Sequence, residues 1–264
     1  MQQEELSKQV FAEVMRRLNN SEKNNSPQVN VSQYPIPSEF VGTAVGDTIG
    51  LVIANVDPAL HEMMKLEKRF RSLGVVGART GAGPQILAAD EAVKASNVKV
   101  LSIELPRDTK GGAGHGSLII FGSDDVTDAR NAVEVTLSEL NRTMGDVYSN
   151  GAGHLEFQYT ARANDACQKG FNAPINKAFG LIVGAPAAIG VLMADVAVKA
   201  ALVDVVGYGS PGNGGTSFSN ESTLMISGDS GAVKQAVMAA REVGLPLLEA
   251  LGGKAASTTT PYII

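Results

Sequence analysis

The chain has 264 residues, 44% of them apolar and 19% charged, with a net charge of −5 at neutral pH. That is enough apolar material for one large core or two ordinary ones, which excludes a disordered chain. The single cysteine, Cys167, excludes an intrachain disulfide, and an acidic balance without a Lys/Arg cluster excludes nucleic acid and anionic membrane as the main partner.

Glu4, Glu5, Lys8, Glu13, Arg16 and Arg17 interrupt the first twenty residues, so no secretion signal is expected and the chain is placed in the cytosol. In the same stretch Leu6, Val10, Phe11, Val14, Met15 and Leu18 recur every three to four positions, which predicts a one-sided helix over 4–18. Its acidic start and basic end suit the helix dipole. Residues 19–38 are rich in Asn, Ser and Pro and read as a linker. Whether the helix folds back or docks on a partner stays open at this point.

Downstream the chain writes itself twice. ADEAVKA (89–95) returns as ADVAVKA (194–200), LGVVGARTGAGPQILAAD (73–90) as FGLIVGAPAAIGVLMAD (179–195), and SLIIFGSDD (117–125) as STLMISGDS (222–230). The first copy predicts a strand at 49–56, a helix from Pro58 capped by Asp57, a strand at 73–78 and a helix at 84–95. Strands at 98–105 and 117–122 follow, then a helix at 125–144 with Val126, Ala129, Ala132, Val133, Leu137 and Leu140 on one face. The second copy predicts strands at 155–160, 179–183, 203–208 and 222–227. The uncharged run 178–194 is broken by Pro186 and three glycines and is shorter than the roughly 20 apolar residues a bilayer needs, so it reads as a buried strand and helix. The expected fold is α/β (α+β): two tandem units at 39–152 and 153–264, each a four-stranded sheet covered by helices, after the segment 1–38. Three such chains would supply six similar wedges around an axis.

Catalytic chemistry is hard to find. GDSG (228–231) has the look of a serine-protease nucleophile turn, but the other copy reads GSDD at the same strand-to-helix turn, so the shared feature is a helix cap. His61, His115 and His154 lack metal-ligand spacing, and no paired carboxylates stand out. No catalytic residue, metal or cofactor is expected, and Cys167 reads as a small buried apolar group. The loops PRDTKGGAGHG (106–116) and GSPGNGGTSFSNE (209–221) join adjacent strands and far exceed the two to five residues of an ordinary hairpin. Such loops carry function on rigid scaffolds. One alternative is that these Gly-rich stretches grip a nucleotide or phosphate, making the chain a regulator or enzyme, although GARTGAGP (77–84) and GGAGHG (111–116) lack P-loop spacing.

The stretches EFVGTAVGDTIGLVI (39–53), RTGAGPQILAADEAVKA (79–95), ELPRDTKGGAGHGSLII (104–120), GDVY (145–148), GTSFSNE (215–221) and SGDSGAVKQAV (227–237) together resemble tandem-domain, circularly permuted shell proteins of bacterial microcompartments, those of propanediol- and ethanol-utilising compartments in particular. The resemblance runs from residue 39 to the last residue. It implies a BMC-domain homotrimer shaped as a pseudo-hexamer, which tiles with other shell proteins around encapsulated enzymes and catalyses nothing. It implies that Lys94 and Lys199, each in a D-x-x-V-K-A motif, lie at the tile edge. It also implies axial pore loops made by Lys110, Gly111, Gly112, Gly114, His115 and Gly116, and by Asn213, Gly214, Gly215, Thr216, Ser217, Phe218, Ser219 and Asn220. Small diols, alcohols or aldehydes would pass there. Leu6, Val10, Phe11, Val14 and Leu18 would then face cargo or the inner shell, and small polyols would sit between subunits at residues the sequence does not place.

Overall fold

A computed structural model describes residues 37–106, 116–213 and 220–264. The helix expected at 4–18, with Leu6, Val10, Phe11, Val14 and Leu18, lies outside the described residues. So do Lys110, Gly111, Gly112, Gly114 and His115 of one loop and Gly214, Gly215, Thr216, Ser217, Phe218 and Ser219 of the other.

Residues Ser38–Ile264 form one compact unit. Its first half runs β1 (Phe40–Ala44), β2 (Thr48–Ile53), α1 (Pro58–Met63), β3 (Ser72–Ala78), α2 (Gly83–Ala95), β4 (Lys99–Glu104), β5 (Ser117–Ser123) and α3 (Val126–Thr143). The second half runs β6 (Val147–Asn150), β7 (Gly153–Thr160), α4 (Asp165–Phe171), β8 (Ala178–Ala185), α5 (Ala187–Ala200), β9 (Asp204–Gly209), β10 (Ser222–Gly228) and α6 (Ser230–Gly252), with β11 (Ala256–Ser257) after it. One sheet has the order β1-β2-β3-β5-β4 and the other β11-β6-β7-β8-β10-β9. Every neighbouring pair is antiparallel. Without β11 the two orders are the same, so the written repeat is a structural one.

The sheets hold five and six strands rather than the expected four. The additional strands β1, β6 and the two-residue β11 are too brief to show a period of two. Gly46 and Asp47 take the left-handed backbone (φ 76° and 50°) that a tight β1–β2 hairpin requires. Strand β6 pairs with β7 and so joins the second sheet, which places the change of sheet in the α3–β6 turn, ahead of residue 152.

Aspartates start the helices as their positions suggest. Asp57 Oδ1 accepts from Ala59 N at 2.9 Å, Asp125 Oδ1 from Thr127 N at 2.7 Å, and Asp229 Oδ1 from Gly231 N at 2.9 Å. The GDSG turn is therefore a cap. Each sheet buries one face under its two long helices. In the first repeat Val76, Ile86, Ile119, Phe121 and Val133 form the core, and in the second Phe157, Ile182, Met193, Ile226 and Val237 do. A third cluster crosses between them: Leu87 of α2 packs on Ala163, Cys167, Phe179, Leu181 and Val183. Each large side chain removed from water there adds about 1.5–3 kcal/mol to the union of the two halves.

Candidate functional site

The site assembled by the fold is the junction between the repeats. Helix α2 turns Ile86, Leu87 and Asp90 toward the second half, all nearly inaccessible to solvent. Asp90 accepts from Asn164 N and Cys167 N at 3.0 Å, satisfying free N–H groups at the start of α4, and Lys94 Nζ stands 3.1 Å away. In return Asp165 Oδ2 of α4 accepts from Val100 N of β4 at 3.1 Å. Each repeat thus completes the backbone hydrogen bonding of the other. Burial pulls the Lys94 ammonium down, but its hydrogen bond to Glu91 and the charge of Asp90 outweigh that and hold it above the usual lysine value. Burial, reinforced by Asp90, pushes the Cys167 thiol well up, so it is packing material and no nucleophile.

Beside these contacts lies a cavity of about 450 Å³. Gly83 and Pro84 at the start of α2 close one side, and His154, Glu156, Tyr208 and Glu221 supply most of the polar wall opposite. Glu156 is 7% exposed, and its Oε1 has no hydrogen-bond partner among the described residues. Burial, followed by the charge of Glu221, pushes its carboxyl up to about 8. His154 Nε2 stands 3.7 Å from Glu221 Oε2. A Cβ at Gly83 would collide with Glu156 Oε1 and with Leu181, which is why the first turn of α2 carries glycine. The wall sets carboxyls among apolar side chains. It repels phosphate from the only helix start to which the Gly-rich 77–84 turn could have brought one.

Among the loop residues expected at an axis, Gly116, Asn213 and Asn220 are described. Gly116 N donates to Pro106 O at 2.8 Å, closing the neck of the first loop; Asn213 and Ser210 exchange backbone hydrogen bonds at 2.9 and 3.0 Å at the second. Asn220 Oδ1 accepts from Ala187 N, capping α5 from the returning end of that loop. The expected edge lysines are placed unequally. Lys94 is tied into the junction, whereas Lys199 stands on an exposed face and pairs with Asp195 at 2.6 Å. Among the described residues no cluster could hold a metal ion, and no helix is long and apolar enough to cross a membrane.

Two stretches, 72–151 and 178–254, match the BMC domain, one in each repeat. The chain is 59% identical over the full length of both to the bacterial microcompartment shell protein PduB of Citrobacter freundii. The chain belongs to the BMC-domain family. It is a structural shell protein of a bacterial microcompartment. Among solved structures it resembles EtuB from Clostridium kluyveri, at 53% identity and a TM-score of 0.83 over 86% of this chain and all of that one. It also resembles a trimeric shell protein PduB, at 54% and 0.81 over 85% and 99%.

As a tandem BMC protein the chain should treat its two copies alike, and at one face it does not. Aligning ADEAVKA with ADVAVKA puts Ile86, Leu87 and Asp90 of α2 over Val191, Leu192 and Asp195 of α5. The first three are 0–2% exposed, whereas Val191 and Leu192 are 50% and 42% exposed. Val100 of β4 is buried, and Val205, its counterpart in the strand register, is 54% exposed. On the opposite edge α1 shows Leu60 and Met63 to solvent while α4 buries Ala166 and Cys167.

Sequence reasoning passed over Asp90, Glu156 and Glu221. Both glutamates are far apart in the chain and only the sheet brings them together. A signal existed in the repeat itself: by strand register Glu156 stands where the first copy has Ile49, and Glu221 where it has Gly116.

Proposed function

We propose that this chain forms a homotrimeric, pseudo-hexagonal tile that joins other shell proteins around encapsulated enzymes of a diol-utilising compartment and performs no catalysis. The observation that carries the reading is the bare α5 face. One face of the second repeat exposes what the first repeat buries against its neighbour, and the first repeat exposes the complementary edge. Docking α5 and β9 of one chain on α1 and β2 of the next repeats the intrachain junction head to tail, and six wedges close a ring after three chains. A trimer is the assembly of one solved relative, a shell protein PduB, and the sheet topology favours a division of the two repeats in the α3–β6 turn over the expected limits 39–152 and 153–264.

The two long loops rise from equivalent places, between β4 and β5 and between β9 and β10, so a threefold ring gathers three copies of each around its axis, where small diols, alcohols or aldehydes would cross. The inter-repeat cavity is a second place for such a molecule. Lys199 belongs to the tile edge, Lys94 to the rim of the junction, and Leu6, Val10, Phe11, Val14 and Leu18 to a contact with cargo or the inner shell face. The test is sedimentation of the Leu192→Asp chain. The expected result is folded monomer in place of trimer, because the new carboxylate would be buried unpaired at the interface. A trimer that survives the substitution refutes the interface.

A further inference from the structure

An ion-pair bridge borders the junction between the repeats, and its charges are reversed at the equivalent places of the open face. Inside the chain Lys99, at the start of β4, donates to Glu67 Oε2 at 2.7 Å, and Arg69 Nε stands 3.1 Å from Oε1 of the same carboxylate. From the other repeat Lys169 of α4 reaches the same strand, donating to Leu101 O at 3.3 Å. The hydrogen bond from Lys99 holds the Glu67 carboxyl below its usual value, and the charges of Arg69 and Lys169 act in the same sense. Two lysines, one from each repeat, thus meet around one anion.

The repeat identifies the counterparts. Lys99 of β4 faces Gly122 and Asp204 of β9 faces Ser227, and these are equivalent residues of β5 and β10. Helices α1 and α4 align through their caps, Asp57 with Asn164, and through the left-handed residues beyond them, Lys65 (φ 55°) with Asn172 (φ 56°). That alignment sets Glu62 at the place of Lys169. Both lysines have become carboxylates, so the ion that joins them must change sign as well. Lys68 supplies it: its Nζ stands 3.7 Å from Glu62 Oε2, and the side chain is 75% exposed.

We propose that Lys68 and Glu62 of one chain hold Asp204 of its neighbour, forming at each junction between chains a bridge of inverted charge. The proposal rests on the docking of α5 and β9 on α1 and β2. Asp204 stands next to the bare Val205, is itself exposed, and has no ion-pair partner among the described residues. Asp204 against Glu62 alone would oppose docking; a lysine between them turns one repulsion into two attractions.

The test is sedimentation equilibrium of three variants of the full chain over a salt series. Lys68→Glu sets three carboxylates together and should weaken association about fivefold at each junction, about a hundredfold for the closed trimer. The defect should shrink as salt rises. Adding Asp204→Lys to that chain restores the trimer, because the new lysine meets two carboxylates. Asp204→Lys alone keeps the trimer, since it recreates the lysine–carboxylate–lysine order found inside the chain. These side chains are exposed, so circular dichroism of every variant should match the parent. A Lys68→Glu chain that associates as tightly as the parent, a defect indifferent to salt, or one that Asp204→Lys fails to rescue overturns the bridge. Leu192→Asp separates the two readings: if it dissolves the trimer and Lys68→Glu does not, the bridge falls and the ring stands. If Leu192→Asp leaves the trimer intact, the docking falls and the bridge with it.

Discussion

Helices α2 and α5 carry nearly the same seven residues at their ends and cover matching sheets, yet one is sealed inside the chain and the other is half bare. The difference lies in what each meets. Helix α2 meets the second repeat of its own chain, a neighbour always present, and there the sequence has introduced groups tolerable only under permanent cover: Asp90, 1% exposed, and Glu156. On the equivalent α5 face the chain keeps Asp195 half exposed, and Ile49 stands at the repeat position of Glu156. Duplication followed by fusion thus lets one copy of a junction become specialised, while in the proposed ring the other stays a plain assembly surface.

The strongest way to break this comparison is to remove the two aspartates in turn. Asp90→Ala strands two buried N–H groups of Asn164 and Cys167 and frees a half-buried Lys94. It should lower unfolding stability by about 3–5 kcal/mol. Asp195→Ala removes only an exposed pair with Lys199 within a chain and should change monomer stability by about 0.5 kcal/mol, while weakening chain association. Denaturant unfolding of both variants, with sedimentation, measures the contrast. Equal losses in the two would show that α2 and α5 face equivalent surroundings after all.

The second way uses pH. Glu156 has a folded value of about 8, raised above the ordinary 4.5, so the folded state binds the proton more tightly than the unfolded chain. Its contribution is full below about pH 4.5 and is lost progressively as pH rises toward 8, a fall of about 3 kcal/mol by pH 7. Replacing Glu156 with Ile, the residue of the other repeat, should flatten that part of the stability curve, read as unfolding midpoints across a pH series. A wild-type curve already flat from pH 5 to 8 would mean that the carboxyl is solvated.

Much of the fold is legible in the sequence. Near-continuous apolar runs such as SLIIF and FGLIV, the Asp57, Asp125 and Asp229 caps, and the written repeat carry architecture locally. What stayed hidden is non-local. Helix α4 has seven residues with Gly170 inside it, too few for a periodic face. Strands β1 and β6 are held by pairing with β2 and β7. The carboxyl pair needs β7 and the approach to β10, which only β8 brings together. Cys167 read correctly as buried, but its partners on the other repeat, Leu87 packed against it and Asp90 bonded to its N–H, left no mark in its vicinity.

The smallest effect on stability is expected at the lysines, where the comparison sharpens the notion of an edge. From the motif alone Lys94 and Lys199 are equivalent, and reversing both charges should leave trimers intact and abolish sheets. The structure separates them. Lys94→Asp would set a third carboxylate beside Asp90 and Glu91, so it damages the intrachain junction before any tile edge is reached. Lys199, 71% exposed and paired among the described residues with Asp195 four residues earlier, can be changed almost without cost to the fold, by about 0.5 kcal/mol or less. Lys199→Ala is therefore the cleaner probe: melting temperature and trimer mass should stay as in the parent, and ordered sheets seen by electron microscopy should disappear. Sheets that form normally from this variant would remove Lys199 from the contact between tiles.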